Sequence, residues 1–175
     1  MTKTPDSTSS TISPSAATST GTVPSCPSCG DRGKPVPLAT LKSLIKPEFQ
    51  PQLTEGPYRF CRNPECDVVY FASDGPQTFN RTALKVRVGL KEKDPPRPLC
   101  YCFGHTAEEI IDEIRRTGQT MVPERIQKRL EEEGCDCLHK NPQGTCCLGS
   151  VNAFVAEALR LYSRENGSTG RTIPG

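Results

Sequence analysis

The chain has 175 residues, 34% of them hydrophobic and 6% aromatic, with no Trp. That length fits one domain or two small ones, and the composition is too lean for one large core, so metals or disulfides are expected to supplement it. A formal net charge of +2 gives no strong pull toward nucleic acid or acidic membranes.

Ten cysteines in 175 residues fall below the density of a disulfide scaffold. A secretory signal needs an apolar core of about 7–15 residues, and the stretch up to Val23 offers only Ile12, Ala16, Ala17 and Val23 among Ser, Thr and Pro. No run of about 18 apolar residues is present, so no membrane span is expected. These features predict a cytoplasmic protein, where reducing conditions make paired cysteines metal ligands rather than disulfides.

In chain order, residues 1–25 hold fourteen Ser or Thr and little that can bury apolar area, which predicts a disordered tail. Residues 26–93 read as a β-rich unit. Leu38, Leu41, Leu44 and Ile45 have mixed periodicity, open between strand and short helix. Tyr58–Cys61 and Val68–Phe71 flank Arg62-Asn63-Pro64-Glu65 and read as a β-hairpin. Leu84, Val86 and Val88 alternate with Lys85 and Arg87, which predicts a third strand. Asp94-Pro95-Pro96-Arg97-Pro98 is expected to be a stiff linker and the domain boundary.

Residues 99–163 read as helical. Thr106 and Glu109 fit a capping box, Ile110, Ile111 and Ile114 mark a buried face, and Gly118 ends that helix. A second helix is predicted from Pro123 to Gly134, with Ile126 and Leu130 facing inward. A third, over about 150–162, places Val151, Phe154, Val155, Ala158, Leu159 and Tyr162 on one stripe. Residues 164–175 are expected to be a flexible tail.

Cys26-x-x-Cys29 and Cys61-x4-Cys66 supply four thiols in two pairs. Zn2+ takes about four such ligands in a tetrahedron, so these four residues are the candidate zinc ligands of a closed, structural site in a zinc-ribbon-like arrangement. The second pair is wider than usual for a ribbon. Lys85, Arg87, Lys91, Lys93 and Arg97 form a basic run diluted by Asp74, Glu92 and Asp94, which reads as a solvated face, and nucleic acid is not an expected partner.

Six thiols remain, in two groups held apart by the helical spacer from Phe103 to Gly134. Four thiolates hold a [2Fe–2S] cluster. Cys100-x-Cys102 would serve one iron, and the far group, just before the third helix and its positive dipole end, would serve the other. His105 and His139 lie within three residues of these thiols; His105 could replace a thiolate, and the other readings are an N–H donor to a sulfur or a solvent-exposed side chain.

Cys100-x-Cys102, the capped helix from Thr106 and the cysteines before the last helix resemble the bacterioferritin-associated ferredoxin-like (BFD-like) [2Fe–2S] domain. Over about residues 26–150 the chain further resembles the zinc/[2Fe–2S] N-terminal domain of the archaeal copper chaperone CopZ. The matching stretches are Cys26-Pro-Ser-Cys29, Cys61-Arg-Asn-Pro-Glu-Cys66-Asp-Val-Val-Tyr-Phe, Leu84-Lys-Val-Arg-Val-Gly-Leu-Lys-Glu, Cys100-Tyr-Cys102 and Cys137-Leu-His-Lys-Asn-Pro-Gln-Gly-Thr-Cys146-Cys147.

The resemblance implies an α+β fold, a zinc-ribbon-like β unit followed by a BFD-like helical domain. It implies zinc at Cys26, Cys29, Cys61 and Cys66. It assigns the cluster to Cys100, Cys102, Cys137 and Cys147, the last two chosen because the family's ligands stand ten positions apart across an Asn-Pro-x-Gly turn. Cys135 and Cys146 are then bystanders, substitute ligands or a second thiol site, and a bystander Cys146 inside a buried turn would act as a small apolar residue.

The implied function is one-electron transfer or metal handling in copper homeostasis, including reduction of Cu(II) to Cu(I), with copper as transient cargo. A separate copper chaperone or copper-transporting ATPase and an electron donor are the implied partners. The Met-x-Cys-x-x-Cys copper module of two-domain CopZ is not in the sequence. The alternative is a redox-inactive zinc-binding adaptor. No Ser/His/Asp constellation, phosphate-binding Gly loop or spaced carboxylate pair stands out, so no catalytic residue is assigned and an electron-transfer or metal-handling role is favoured over an enzyme.

Overall fold

A computed structural model describes residues 23–167. The expected disordered tail lies outside the described residues except for 23–25, as do residues 168–175 of the expected C-terminal tail. The fold mixes an antiparallel sheet with helices. Four strands, β1 (Lys34–Val36), β2 (Tyr58–Phe60), β3 (Val68–Ala72) and β4 (Thr78–Asn80), pair in that order. The expected hairpin is β2–β3, with Phe60 opposite Tyr70 and Tyr58 opposite Ala72.

β3 is buried along all five residues, and a register shift against β4 between Val68 and Tyr70 explains how it serves two clusters. A bulge inserts a residue and re-aims the side chains around it. Val69 and Tyr70 therefore both enter the main core with Leu41, Ile45 and Phe60. Val68 and Phe71 instead pack with Cys26, Cys61 and Cys66.

The stretch left open between strand and helix is α1 (Leu38–Leu44), which buries Leu41 and Leu44. The strand expected over Leu84–Val88 does not form. That segment runs between short 3-10 turns at Arg81–Ala83 and Gly89–Lys91, with a single bridge from Leu84 to Ile45. Its alternation is still physical, since Leu84 and Val88 are buried while Lys85 and Arg87 are exposed. An extended chain keeps that period without a ladder partner.

After the Pro-rich stretch, β5 (Pro98–Cys100) and β6 (His105–Thr106) form a two-stranded ribbon. Four helices follow: α2 (Ala107–Thr117), α3 (Val122–Glu133), the short α4 (Cys137–Lys140) and α5 (Leu148–Gly167). The Thr106 hydroxyl accepts from the Glu109 N–H at 3.3 Å, and Gly118, in the left-handed region, closes α2. Only half the capping box forms, because the Glu109 carboxylate turns to His105 and Arg125 instead. α5 begins two residues earlier than its periodicity suggests and continues past Tyr162 to Gly167. α2 and α3 pack on α5, burying Ile110, Ile114, Val122, Ile126 and Val151 beside Cys100, Cys137 and Cys147.

The helical part rests on the sheet part through the segment between Cys137 and Cys147. α4 packs against α1. The Thr40 hydroxyl donates to the Leu138 carbonyl at 2.6 Å, Tyr70 OH donates to the Pro142 carbonyl at 2.8 Å, and Lys34 Nζ donates to Thr145 Oγ1 at 2.9 Å. At Gly144, with φ of +64°, a Cβ would come within 2.7 Å of Pro37 and 2.8 Å of Thr40. Only glycine permits both that backbone shape and that approach.

Candidate metal centres

Cys26 and Cys29 sit on a turn closed by the Gly30 N–H donating to the Cys26 carbonyl at 2.8 Å. Cys61 follows β2 and Cys66 precedes β3, so the hairpin brings both beneath that turn. The four sulfurs all lie within 4.8 Å of one another, with Cys29 to Cys61 at 3.6 Å and Cys26 to Cys66 at 3.9 Å. A tetrahedron with Zn–S of about 2.3 Å has sulfur–sulfur edges of about 3.8 Å. The donor set and its size therefore fit one zinc ion.

Two polar side chains that sequence reasoning did not assign hold this arrangement. Asp31 accepts from the backbone N–H of Gly33 at 3.1 Å and of Arg62 at 2.7 Å, and its backbone carbonyl accepts from the Cys26 N–H. It ties the first knuckle to the second. Burial works against its charge, but the Arg62 N–H and guanidinium prevail and hold its carboxyl below the ordinary range.

Lys91, expected on a solvated basic face, is 1% exposed. Its ammonium donates to the carbonyls of Asn63 at 2.7 Å and Cys66 at 3.0 Å, beside the Phe60 ring. The other four basic residues of that run also have partners on this chain: Lys85 with the Ser43 carbonyl, Arg87 with Glu92, Lys93 with Glu65, and Arg97 with Glu108.

The free thiols differ in acidity. Burial pushes Cys26 up and lifts Cys61 to about 12. At Cys29, partial burial is outweighed by the Asp31 N–H and the neighbouring sulfurs, which bring it down to about 7. Metal must displace the remaining protons, because the ligand is the thiolate.

In the helical part Cys102 and Cys137 touch at 3.5 Å, and Cys100 contacts Cys147. The free thiols thus meet across the two segments, Cys102 with Cys137 and Cys100 with Cys147. Cys100, Cys137 and Cys147 are buried, and Cys102 is half-buried. Backbone N–H groups of Cys102 and Phe103 point at the Cys100 sulfur, and that of Cys147 points at the Cys137 sulfur. The Cys147 contact and these amides lower Cys100 to about 6, against its burial. Burial lifts Cys137 to about 12, and the Cys100 contact, then burial, raises Cys147. Two contacting thiol pairs in the apolar core, with amides aimed at sulfur and α5 starting at Leu148, offer the donor type that an anionic cluster takes.

The histidines face carboxylates. His105 Nδ1 lies 2.8 Å from Glu109, and His139 Nδ1 lies 2.6 Å from Asp136. Cys135 and Cys146 are both exposed, so the one of the three readings that would make Cys146 a buried apolar bystander does not fit. Their sulfurs gather with that of Cys137 into a second set of three within 4.8 Å.

No helix among the described residues is long and apolar enough to cross a membrane. A family model described as a zinc binding domain, of the CopZ type, matches residues 23–85. The chain is 31% identical over 126 residues to a copper chaperone, CopZ of Archaeoglobus fulgidus. That match covers 70% of this chain but only 57% of the relative, so the chain spans little more than half of that protein's length. The fold is similar to the X-ray structure of the A. fulgidus CopZ N-terminal domain, with a TM-score of 0.61 and 29% identity, covering 74% of this chain and 95% of that one. Residues 23–85 are therefore similar to the CopZ-type zinc binding domain, within a longer likeness to the CopZ N-terminal domain.

Proposed function

We propose that this chain is a cytoplasmic metal-handling protein of copper homeostasis, with a structural zinc at Cys26, Cys29, Cys61 and Cys66 and a [2Fe–2S] cluster at Cys100, Cys102, Cys137 and Cys147. The zinc site stiffens a ribbon-like β unit over 26–93, and a BFD-like helical unit over 99–163 carries the cluster, joined by the 94–98 linker. The reading is supported by one observation: four thiols gather at a spacing suited to a single tetrahedral ion, and four others meet as two pairs, Cys102 with Cys137 and Cys100 with Cys147. The likeness to a protein named as a copper chaperone supports the copper connection, and a copper-transporting ATPase or a separate chaperone is the partner that reading implies.

A bound [2Fe–2S] cluster supplies one-electron transfer, with Cu(II) as the acceptor that fits a copper role. The protein's own part is to hold four thiolates, aim the Cys102, Phe103 and Cys147 amides at sulfur and exclude water with the Ile110, Ile114 and Val151 face. The Arg129 guanidinium lies 4.4 Å from the Phe103 ring centre and adds positive charge at the rim.

The test is metal and acid-labile sulfide content, with a visible spectrum, on anaerobically purified protein. The expected result is about two iron, two sulfide and one zinc per chain, with Cys100→Ser or Cys137→Ser abolishing the colour and leaving the zinc. A colourless protein holding zinc alone, and failing iron–sulfur reconstitution, would replace this reading with the redox-inactive adaptor.

A further inference from the structure

Cys135 and Cys146 belong to neither foursome, yet with buried Cys137 they form the one other gathered set of metal-ligating atoms among the described residues. Three helix ends produce the meeting. Gly134, with φ of 72°, turns the chain out of α3 so that Cys135 leaves the helix axis. Cys137 opens α4, and Cys146 stands two residues before α5. The turn between them is tied down: Asn141 Nδ2 donates to the Thr145 carbonyl at 2.7 Å, and its Oδ1 accepts from the Gln143 N–H at 3.0 Å. Lys34 holds Thr145, the residue before Cys146. Cys146 is thus presented from a braced turn, and Cys135 from the end of α3.

The donor set restricts what can bind. All three donors are soft thiols, and no His or carboxylate joins them within the same radius. Asp136, the nearest acid in sequence, is engaged by His139. Structural zinc takes four ligands in a closed tetrahedron, whereas a monovalent d10 ion is satisfied by two or three thiolates, which select it by softness. Two of the three thiols face solvent, so the site is open to exchange, whereas each foursome has three buried thiols.

We propose that Cys135, Cys137 and Cys146 form a solvent-facing docking site for a thiophilic monovalent cation of the Cu(I) class. The Cys137 sulfur is shared with the cluster foursome, and only for that sharing does the inference rest on the function proposed above. At Cys135 and Cys146 binding replaces thiol protons with sulfur–metal bonds, while Cys137, as a cluster thiolate, has no proton to lose. The protons pass to solvent, and no electron is transferred. The site gives copper cargo a place on this chain.

The test titrates the full chain, purified anaerobically, with Cu(I) buffered by bicinchoninate, comparing wild type with the double variant Cys135→Ser/Cys146→Ser. Both substitutions are at exposed positions, so the fold is retained. The wild type should take up one Cu(I) that the double variant binds at least about 10–100-fold more weakly, since even supporting residues around a metal cost that much. Zinc and iron contents, measured before and after, should be alike in the two proteins. Equal Cu(I) uptake by both would overturn the site. So would an extra zinc in the isolated wild type that the double variant lacks, which would make this a zinc site. Failure of the cluster reading appears separately, as missing iron in the untreated proteins.

Discussion

Lys91 places an ammonium group under the Asn63–Cys66 loop, and Asp31 places a carboxylate between the two knuckles. Each spends its charge on backbone groups that carry zinc thiols. Lys91→Met keeps the stem that packs on Phe60 but removes the ammonium's bonds to the Cys66 and Asn63 carbonyls, the second of which still accepts from the Cys66 N–H, a loss of about 1–3 kcal/mol. Urea unfolding of the zinc-loaded protein should show it, along with faster zinc loss to a chelator. Lys93→Ala, which breaks only the exposed pair with Glu65, should change stability by no more than about 0.5 kcal/mol. Asp31 predicts a pH effect. Its carboxyl is held below its ordinary 3.8, so its contribution is present above that pH and is lost as pH falls through the depressed value. Asp31→Asn should flatten the acid limb of a stability–pH curve and leave the curve near neutrality lower.

These two residues also mark where reading the sequence ends. Cys137 and Cys147 are singled out from the far thiols only by the family resemblance, while the other six of the eight ligand candidates are visible as spacings of one chemically distinctive residue type. Lys91 is not: a Lys between Leu90 and Glu92 carries no local sign that its stem crosses the core and its charge meets two carbonyls of a distant loop. Cys146 misleads for the same reason, since flanking residues Asn141, Pro142 and Gly144 are buried while it points outward.

Among the elements, α2 and α3 form a hairpin locked at its turn by Glu113, which accepts from Thr120 Oγ1, the Met121 N–H and the Arg125 guanidinium. Burial opposes its charge, but Thr120 and Arg125 outweigh that and hold its pKa below the ordinary 4.5. Its contribution therefore stands above that pH and fades as pH falls through the lowered value. Glu113→Gln should cost about 1–3 kcal/mol at pH 7, with the difference narrowing toward pH 3, measured by thermal unfolding of the protein as purified. Ile126→Ala, removing a fully buried side chain beneath α5, should cost about 2–5 kcal/mol at any pH. The helices were legible because their apolar stripes, the Thr106 cap and the glycine stops agree. β4 and α4 were not, being three and four residues long, too short for a period to declare itself. The misread strand at Leu84–Val88 has the period of one, but lacks a neighbour, and neighbours are set by tertiary structure.

For the whole molecule, the zinc knuckles and the second thiol group lie in different cores, but the Cys137–Cys147 segment is braced from the sheet side by Thr40, Tyr70 and Lys34. Chelating zinc should therefore loosen a segment that holds none of the four zinc-ligand candidates. Amide hydrogen exchange over 138–146 should speed up after zinc removal, and Tyr70→Phe, which removes only the bond to Pro142, should reproduce part of that acceleration with zinc still bound. Unchanged exchange in that segment would mean that the brace stands without the metal.

Gly144 gives that brace a directional consequence. A glycine wedged against Pro37 and Thr40 leaves the 141–145 turn no room to slide across α1. It can only seat fully or lift away. Damage to the second thiol group should thus arrive as an on–off event rather than a graded one, and it should travel one way. Oxidising the exposed Cys146 can unseat the turn while the zinc knuckles stay intact, whereas losing the knuckles removes the floor on which the turn sits.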